Sequence, residues 1–146
     1  MRERRLAREV AVQALYEIAQ SGIPWAEALR ANVERREAGA DVAAYAERLV
    51  QAVTMHRDEI TALLRGVLLH WDLERLALVD RCVLEVGTAE ILHFPDVPVR
   101  VIIDEALEVV RKFSTDESAP FVNGILDRIA REAVRRAAGT DQAARG

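Results

Sequence analysis

Four arginines lie within the first eight residues of the chain, where their side chains could bind phosphate groups. They are Arg2, Arg4, Arg5 and Arg8. With Glu3 as the one acid, residues 1–8 carry a net charge of +3. If this segment begins a helix, each cation costs about 0.3–1 kcal/mol at low salt, because that end of the helix dipole is positive. A bound anion would offset the cost, since free backbone N–H groups and guanidinium groups both bind phosphate.

An amphipathic helix predicted from about Glu3 to Gln20 positions these side chains. Its apolar stripe has helical spacing and consists of Leu6, Ala7, Val10, Ala11, Ala14, Leu15 and Ile18. The predicted exposed face carries Arg5, Arg8, Gln13 and Tyr16, with Arg4 near its edge. The Tyr16 ring could stack on an unpaired base, as aromatic side chains do in proteins that bind single-stranded RNA. A solvated charged face, partly balanced by Glu3 and Glu9, is the alternative, and these residues alone do not decide between the two.

The composition of the chain describes one globular domain. The 146 residues are 51% hydrophobic and 30% charged, and only 5% are aromatic, so aliphatic side chains and alanine must build the core. The formal net charge of −4 argues against a general binder of nucleic acid, whose affinity comes mostly from phosphate neutralisation. A basic patch on an acidic body fits a short RNA segment, or recognition shared with a basic protein.

Catalysis and metal binding have little support in the sequence. The three histidines, His56, His70 and His93, are far apart, and there is no HExxH motif, no cysteine pair and no Gly-rich phosphate loop. Cys82 is the only cysteine, lies in an apolar run and is expected to be a buried thiol. No leader peptide and no apolar run of about 18 residues is apparent. We therefore expect a cytoplasmic protein that is not an enzyme and needs no cofactor or metal.

Helical patterns separated by glycine, proline and serine cover the rest of the chain, so the predicted fold class is all-α. After the first helix, we expect helices at about 25–37, at about 42–67 as one long helix, at 71–76 as a short connection, at about 79–92, at 99–113, and from Pro120 to near Ala137. Residues 139–146 are expected to form a disordered tail, which leaves a domain at residues 1–138.

The last predicted helix contains a glycine and an asparagine near its start. Gly124 costs about 1 kcal/mol relative to alanine inside a helix, which indicates a close approach by another backbone or a ligand. Packing between helices is the favoured explanation for the glycine. Asn123 lies among apolar neighbours, and its amide could tie down the preceding loop or read a base edge.

Three sequence blocks resemble the NusB family of bacterial transcription antitermination factors. They are RRLAREVAVQALY at residues 4–16, IIDEALEVVRKF at residues 102–113, which is similar to the family's INEAVELAKKF, and FVNGILD at residues 121–127, which is similar to FVNGVLD. The blocks occur in the family's order, and the resemblance spans residues 4 to about 131. It implies a single compact domain of about seven helices in two small bundles, at about residues 1–69 and 70–138.

The resemblance also implies a function and partners. A NusB-like protein binds the boxA segment of a nascent, single-stranded RNA together with NusE, a small-subunit ribosomal protein, and joins an RNA polymerase complex with other Nus factors. The RNA-binding residues implied for this chain are Arg4, Arg5, Arg8, Gln13, Tyr16, Lys112, Phe121 and Asn123. Asp80, predicted on the exposed side of the fifth helix, is the acid that we place opposite NusE. For Glu90 and Glu105, which match acidic positions of the family, a buried pairing with an arginine or a helix end is at least as well supported as a partner contact.

Departures from the family pattern reduce the RNA affinity that we expect of the chain alone. Glu85 stands where the family usually has arginine, Thr88 and Ala89 replace an aromatic residue, and Pro120 replaces a residue that is often basic. The alternative function is a helical protein-interaction module, or an RNA-binding partner acting in trans in ribosomal RNA processing, with little RNA affinity of its own. The sequence leaves open whether the free protein is a monomer or a homodimer that hides its arginine face.

Overall fold

The computed structural model describes the backbone of residues 2–69 and 71–145, and in these ranges all regular structure is helical. Seven α-helices and one short 3-10 helix are present there. They are α1 (Arg2–Ser21), α2 (Trp25–Arg35), α3 (Ala40–Met55), α4 (Arg57–Val67), the 3-10 helix (Leu73–Arg75), α5 (Leu78–His93), α6 (Val99–Phe113) and α7 (Ser118–Arg145). The predicted all-α fold class is confirmed.

Helix α1 joins the two halves of the chain. It packs against α2 and α3 on one side and against α5 and α6 on the other. Its predicted apolar stripe is buried at Ala7, Val10, Ala11, Ala14 and Leu15, and these residues belong to one hydrophobic core that includes residues of all seven α-helices. The helix ends before Gly22, whose φ of +68° is a left-handed conformation that glycine adopts without strain.

The helix predicted at residues 42–67 is wrong as a single element, because the chain bends at His56 between α3 and α4. The backbone of His56 has φ −112° and ψ 26°, outside the α-helical region. Each helix buries its own apolar stripe, with Leu49 and Val53 in α3 and Ile60 and Leu64 in α4. Hydrophobic periodicity continues across the bend, so the pattern does not reveal a change of helix direction.

The C-terminal helix is longer than predicted. Helix α7 begins at Ser118, so that Pro120 lies in its first turn, and it ends at Arg145. The predicted disordered tail at 139–146 is therefore helical through Arg145, while Gly146 lies outside the described residues. Alanine and arginine, which are strong helix formers, dominate residues 133–138, and the single Gly139 costs only about 1 kcal/mol.

Helices α5 and α7 approach closely at Gly87. A Cβ atom at this position would lie 2.9 Å from Cδ2 of the buried Leu126 side chain.

Cys82, on the same helix, is buried as predicted, and burial raises the pKa of its thiol to about 12. Among the described residues, no helix combines the length and the apolar character needed to cross a bilayer.

Candidate nucleic-acid interface

Arg5 of α1 and Glu105 of α6 form a two-bond ion pair at the protein surface. Arg5 Nε donates to Glu105 Oε2 at 2.6 Å, and Arg5 Nη2 donates to Oε1 at 3.1 Å. The hydrogen bond from Arg5 keeps the pKa of the Glu105 carboxyl below its usual value, and the same bond raises the pKa of Arg5. The Arg5 side chain is 45% exposed, whereas that of Glu105 is 10% exposed. One edge of a fixed, charged guanidinium group therefore faces solvent.

A second contact between α1 and α6 lies about one turn further along. The buried Glu9 accepts hydrogen bonds at Oε1 from Lys112 Nζ at 2.6 Å and from Arg36 Nη2 at 3.0 Å. The Lys112 side chain is 53% exposed. Glu9 follows Arg5 by one helical turn, and Lys112 follows Glu105 by two. The cations Arg5 and Lys112 therefore lie along the same contact line between α1 and α6. We call the exposed surface around Arg5, Lys112 and Arg36 the α1–α6 surface.

An aromatic groove contains the next two predicted residues, Gln13 and Tyr16. Its volume is about 240 Å³, and it is lined by Val12, Gln13, Tyr16, Glu17, Arg35, Val79 and Phe113. The Tyr16 hydroxyl accepts a hydrogen bond from Gln20 Nε2 at 3.1 Å, and Gln13 Oε1 accepts one from Arg36 Nη1 at 3.4 Å. We call this depression the Tyr16 groove. Sequence reasoning missed the contributions of Arg35, Arg36 and Phe113, because nothing in their local sequence shows that they lie beside α1.

Arg8 is buried, so its predicted place on the exposed face of α1 is wrong. Its side chain is 3% exposed and donates two hydrogen bonds to the buried Glu90 of α5, from Nε at 2.7 Å and from Nη2 at 2.8 Å. The Tyr45 hydroxyl of α3 donates to Glu90 Oε2 at 2.9 Å. Burial works against the charged form of Arg8, but its hydrogen bond with Glu90 and the attraction between their charges raise its pKa. The same burial, with the charge of Glu90, raises the pKa of Tyr45 to about 12. Arg8 is therefore a structural residue, and Glu90 has a buried arginine partner, which is one of the alternatives that the sequence left open.

Arg4 and Arg5 are adjacent in sequence but face different helices. The Arg4 guanidinium lies 4.9 Å from the centre of the Tyr45 ring on α3, whereas Arg5 bonds to α6. Arg48 lies over the same ring at 5.7 Å and over Phe94 at 4.7 Å. Arg4 is exposed, but the structure does not place it on the α1–α6 surface.

Asp80 is also buried, so its predicted exposure toward a protein partner is wrong. It is 6% exposed, and its Oδ2 accepts a hydrogen bond from Ser118 Oγ at 2.8 Å. Ser118 begins α7, and this first turn covers the start of α5. Asp80 therefore joins two helix N-termini. The sequence did not show this because the covering residue is 38 positions away.

Phe121, Asn123 and Gly124 form an open stretch of surface at the start of α7. Phe121 is partly buried and packs edge to face against Trp71, with ring centroids 5.9 Å apart. The exposed side chain of Asn123 has no hydrogen-bond partner within the described part of the chain, so it does not tie down the preceding loop. A Cβ atom added at Gly124 would meet nothing within 4 Å, so the helix packing favoured for this glycine is wrong. The surface here is free for a ligand or partner.

Glu85, one of the departures from the family pattern, forms an ion pair between two helices of the fold. Its buried carboxylate accepts a hydrogen bond at Oε2 from Arg57 Nη1 at 2.5 Å, which links α5 to α4. This acid is therefore compensated by a cation from another helix and does not add an uncompensated negative charge to the surface.

Two of the three histidines meet in the fold, although the sequence separates them widely. The rings of His56 and His93 stack at 3.8 Å with planes 19° apart, and His93 Nε2 lies 2.8 Å from Glu59 Oε1. One ligand atom from each of these three residues lies within 4.8 Å of the others. Because nearly parallel rings direct their in-plane lone pairs side by side, the rings would have to turn before both nitrogens could bind one metal ion. The third histidine, His70, lies outside the described residues.

These features define a small all-helical protein with exposed cations and an aromatic groove on one surface. The model of the NusB family matches residues 5–131, which include the α1–α6 surface and the Tyr16 groove. The chain therefore belongs to the NusB family.

Curated relatives and a solved structure are similar over most of the chain. It is 41% identical to the transcription antitermination protein NusB of Myxococcus xanthus, in a match covering 89% of this chain and 96% of the relative. It is 44% identical to the protein of that name from Geobacillus kaustophilus, in a match covering 87% and 95% of the two chains. A crystal structure of antitermination factors NusB and NusE in complex with dsRNA contains a chain that is 27% identical, with a TM-score of 0.83 and coverage of 90% of this chain and 98% of that one.

Proposed function

We propose that this protein is a transcription antitermination factor that binds boxA-type RNA together with NusE in an RNA polymerase complex with other Nus factors. The observation that carries the proposal is the α1–α6 surface, where two exposed cations are fixed by carboxylates beside the Tyr16 groove. Membership of the NusB family supports it, as does the similar structure, whose NusB chain is in complex with NusE and RNA.

In this proposal, Arg5 and Lys112 bind phosphate groups. About half of each side-chain surface is exposed to water, and a carboxylate orients each cation. An RNA phosphate can therefore bind the exposed side of the cation while the ion pair with the carboxylate stays in place. Tyr16 stacks on a base, and Gln13 contacts a base edge. Exposed Asn123 and partly buried Phe121 contact further bases at the start of α7.

The burial of two predicted residues changes the proposal. Arg8 stabilises the core and has no phosphate contact, and Asp80 is not proposed as a NusE contact. Arg4 stays in the proposal as an exposed cation on the α3 side of α1.

The test is a fluorescence-anisotropy titration of a short boxA-type RNA and a scrambled RNA, with and without NusE. Because the similar structure contains double-stranded RNA, a duplex of the same sequence is a third ligand. We expect selective binding that NusE strengthens. Formation of a complex with NusE without any gain in RNA affinity would instead support the protein-interaction module.

Arg5→Ala tests the phosphate contact. We expect weaker binding to every RNA and a salt dependence whose slope falls by about 0.7, the value for one phosphate contact on a single strand. Arg30→Ala is the matched control, since Arg30 is exposed on α2 and does not line the Tyr16 groove. An unchanged slope for Arg5→Ala would reject the phosphate role.

Asn123→Ala tests base recognition. We expect the preference for boxA-type over scrambled RNA to fall by about 1–3 kcal/mol, while the salt dependence stays the same, because an amide carries no charge. Equal losses for both RNAs would show that Asn123 does not read the sequence.

A further inference from the structure

A second groove lies between α4 and α7, away from the cations of α1 and α6. It consists of two adjoining depressions of about 260 and 270 Å³, which share Val67, Leu69 and Arg128. The first contains Trp71 and Phe121, and the second continues along α7. We call the whole depression the α4–α7 groove.

The first part of this groove presents an exposed aromatic surface. Trp71 is 61% exposed and Leu69 is 72% exposed, which is unusual for side chains of this size and apolar character. The Phe121 and Trp71 rings pack edge to face with their planes 68° apart, and Trp71 stays mostly exposed, so Phe121 does not cover the indole ring. Gly124 adds no side chain to this part of the groove. A flat base can therefore stack on Trp71.

The charged residues that line the second part of the groove are three arginines and one acid, Glu132. Arg128, Arg131 and Arg135 are spaced three and four residues apart on α7, so they share one face of the helix over about 10 Å. Arg131 pairs with Asp127 at 2.9 Å, and Arg135 lies 3.7 Å from Glu132. Both arginine side chains are about 80% exposed, and such surface pairs contribute little to stability, so a phosphate group can bind to these cations.

The first turns of α5 and α7 lie between the α4–α7 groove and the Tyr16 groove. Val79 lines the Tyr16 groove, and its neighbour Asp80 accepts a hydrogen bond from Ser118, three residues before Phe121. An RNA strand extended from the Tyr16 groove across these turns would run toward Phe121 and Trp71.

We propose that the α4–α7 groove binds a continuation of the single-stranded RNA beyond the segment held at the α1–α6 surface, with a base on Trp71 and phosphates on Arg131 and Arg135. This inference rests on the proposed function, because it extends the same RNA. Three arginines beside an aromatic platform favour RNA over an apolar peptide, since an aromatic ring beside a basic track is how single strands are bound.

The experiment compares a short boxA-type RNA with the same RNA extended by about six nucleotides at either end, a length within the usual range for single-strand binding sites. Binding is followed by anisotropy and by the fluorescence of Trp71. The background variant Trp25→Phe makes Trp71 the only tryptophan, because the chain has two. We expect the extended RNA to bind about tenfold more tightly than the short RNA and to quench Trp71.

Two variants assign the gain to the groove. Trp71→Ala and the double variant Arg131→Ala/Arg135→Ala are expected to remove the gain from the extension. The double variant should also leave binding of the short RNA unchanged, because neither arginine contacts Phe121 or the α1–α6 surface. The double control Arg30→Ala/Arg100→Ala removes the same charge from exposed positions on α2 and α6 and should retain the gain.

The outcomes separate this inference from the proposed function. If the short RNA binds and the extended RNA shows neither extra affinity nor quenching of Trp71, the α4–α7 groove does not bind RNA. The proposed function then still stands. If the short RNA does not bind but the extended RNA quenches Trp71, RNA binding at the α1–α6 surface is rejected. RNA binding in the α4–α7 groove is then supported. Quenching by NusE in the absence of RNA would assign the groove to a protein and overturn the inference.

Discussion

Two arginine–glutamate pairs, about one helical turn apart on α1, have the same chemistry and different surroundings. Arg8 and Glu90 share two hydrogen bonds in the core, with side chains 3% and 1% exposed, whereas the Arg5 side chain of the Arg5–Glu105 pair is 45% exposed. A buried pair holds the fold together because removal of one partner leaves an uncompensated charge. A pair open to water stabilises little, and its cation can bind a ligand. Burial, and not residue type, therefore separates the structural arginine from the proposed RNA-binding arginine.

The largest effect expected from this comparison follows Arg8→Ala. The change leaves Glu90 buried with only the Tyr45 hydroxyl as a hydrogen-bond donor, and we expect the free energy of unfolding to fall by about 3–5 kcal/mol. Urea unfolding followed by circular dichroism measures the loss. The double variant Arg8→Met/Glu90→Leu, which removes both charges, should recover much of the stability. The comparison fails if Arg5→Ala, expected to cost less than about 1 kcal/mol, destabilises the protein as much as Arg8→Ala.

A smaller effect is expected for RNA binding when Glu105 is changed to Gln. In this variant the amide oxygen can still accept a hydrogen bond from Arg5 and orient it, but the negative charge that repels a nearby phosphate is removed, so RNA affinity should rise by about threefold to tenfold at low salt, an effect on the scale of one surface charge contact. Anisotropy titrations at two salt concentrations measure it. The gain should shrink at the higher concentration, because salt screens exposed charges. Weaker binding of Glu105→Gln would mean that the orientation of Arg5 requires the charge of Glu105 and not only a hydrogen-bond acceptor.

The smallest effect concerns the pH dependence of stability. Because Arg5 lowers the pKa of Glu105 in the folded protein, this pair contributes stability above the ordinary carboxyl pKa of 4.5, and the contribution is lost as the pH falls through the lowered value. The difference in melting temperature between the wild type and Arg5→Ala should therefore be small at pH 7 and vanish in acid. Thermal melts from about pH 7 to pH 3 measure it. A difference that grew on acidification would show that Glu105 does not depend on Arg5 for its charge.

The sequence predicted the secondary structure well where local rules decide it. The apolar stripe of α1 is spaced for a helix, Gly22 permits its end, and two prolines before Val99 separate α5 from α6. The bend at His56 was missed because apolar spacing carries no information about the direction of successive helices. Helix α7 extends past the predicted end because the single Gly139 costs only about 1 kcal/mol among alanine-rich residues that favour a helix.

The sequence by itself determined that the chain is helical, that α1 buries an apolar stripe, and that its N-terminus is basic. The three similar blocks also indicated the family to which the chain belongs. Only the tertiary structure decided that Arg5 is accessible and Arg8 is not, because their partners Glu105 and Glu90 are 100 and 82 residues away. The same holds for the burial of Asp80 and for the meeting of Trp71 and Phe121 in one groove. Accessibility and charge pairing arise from helices that meet in space, and no local pattern in the chain encodes which helix covers which side chain.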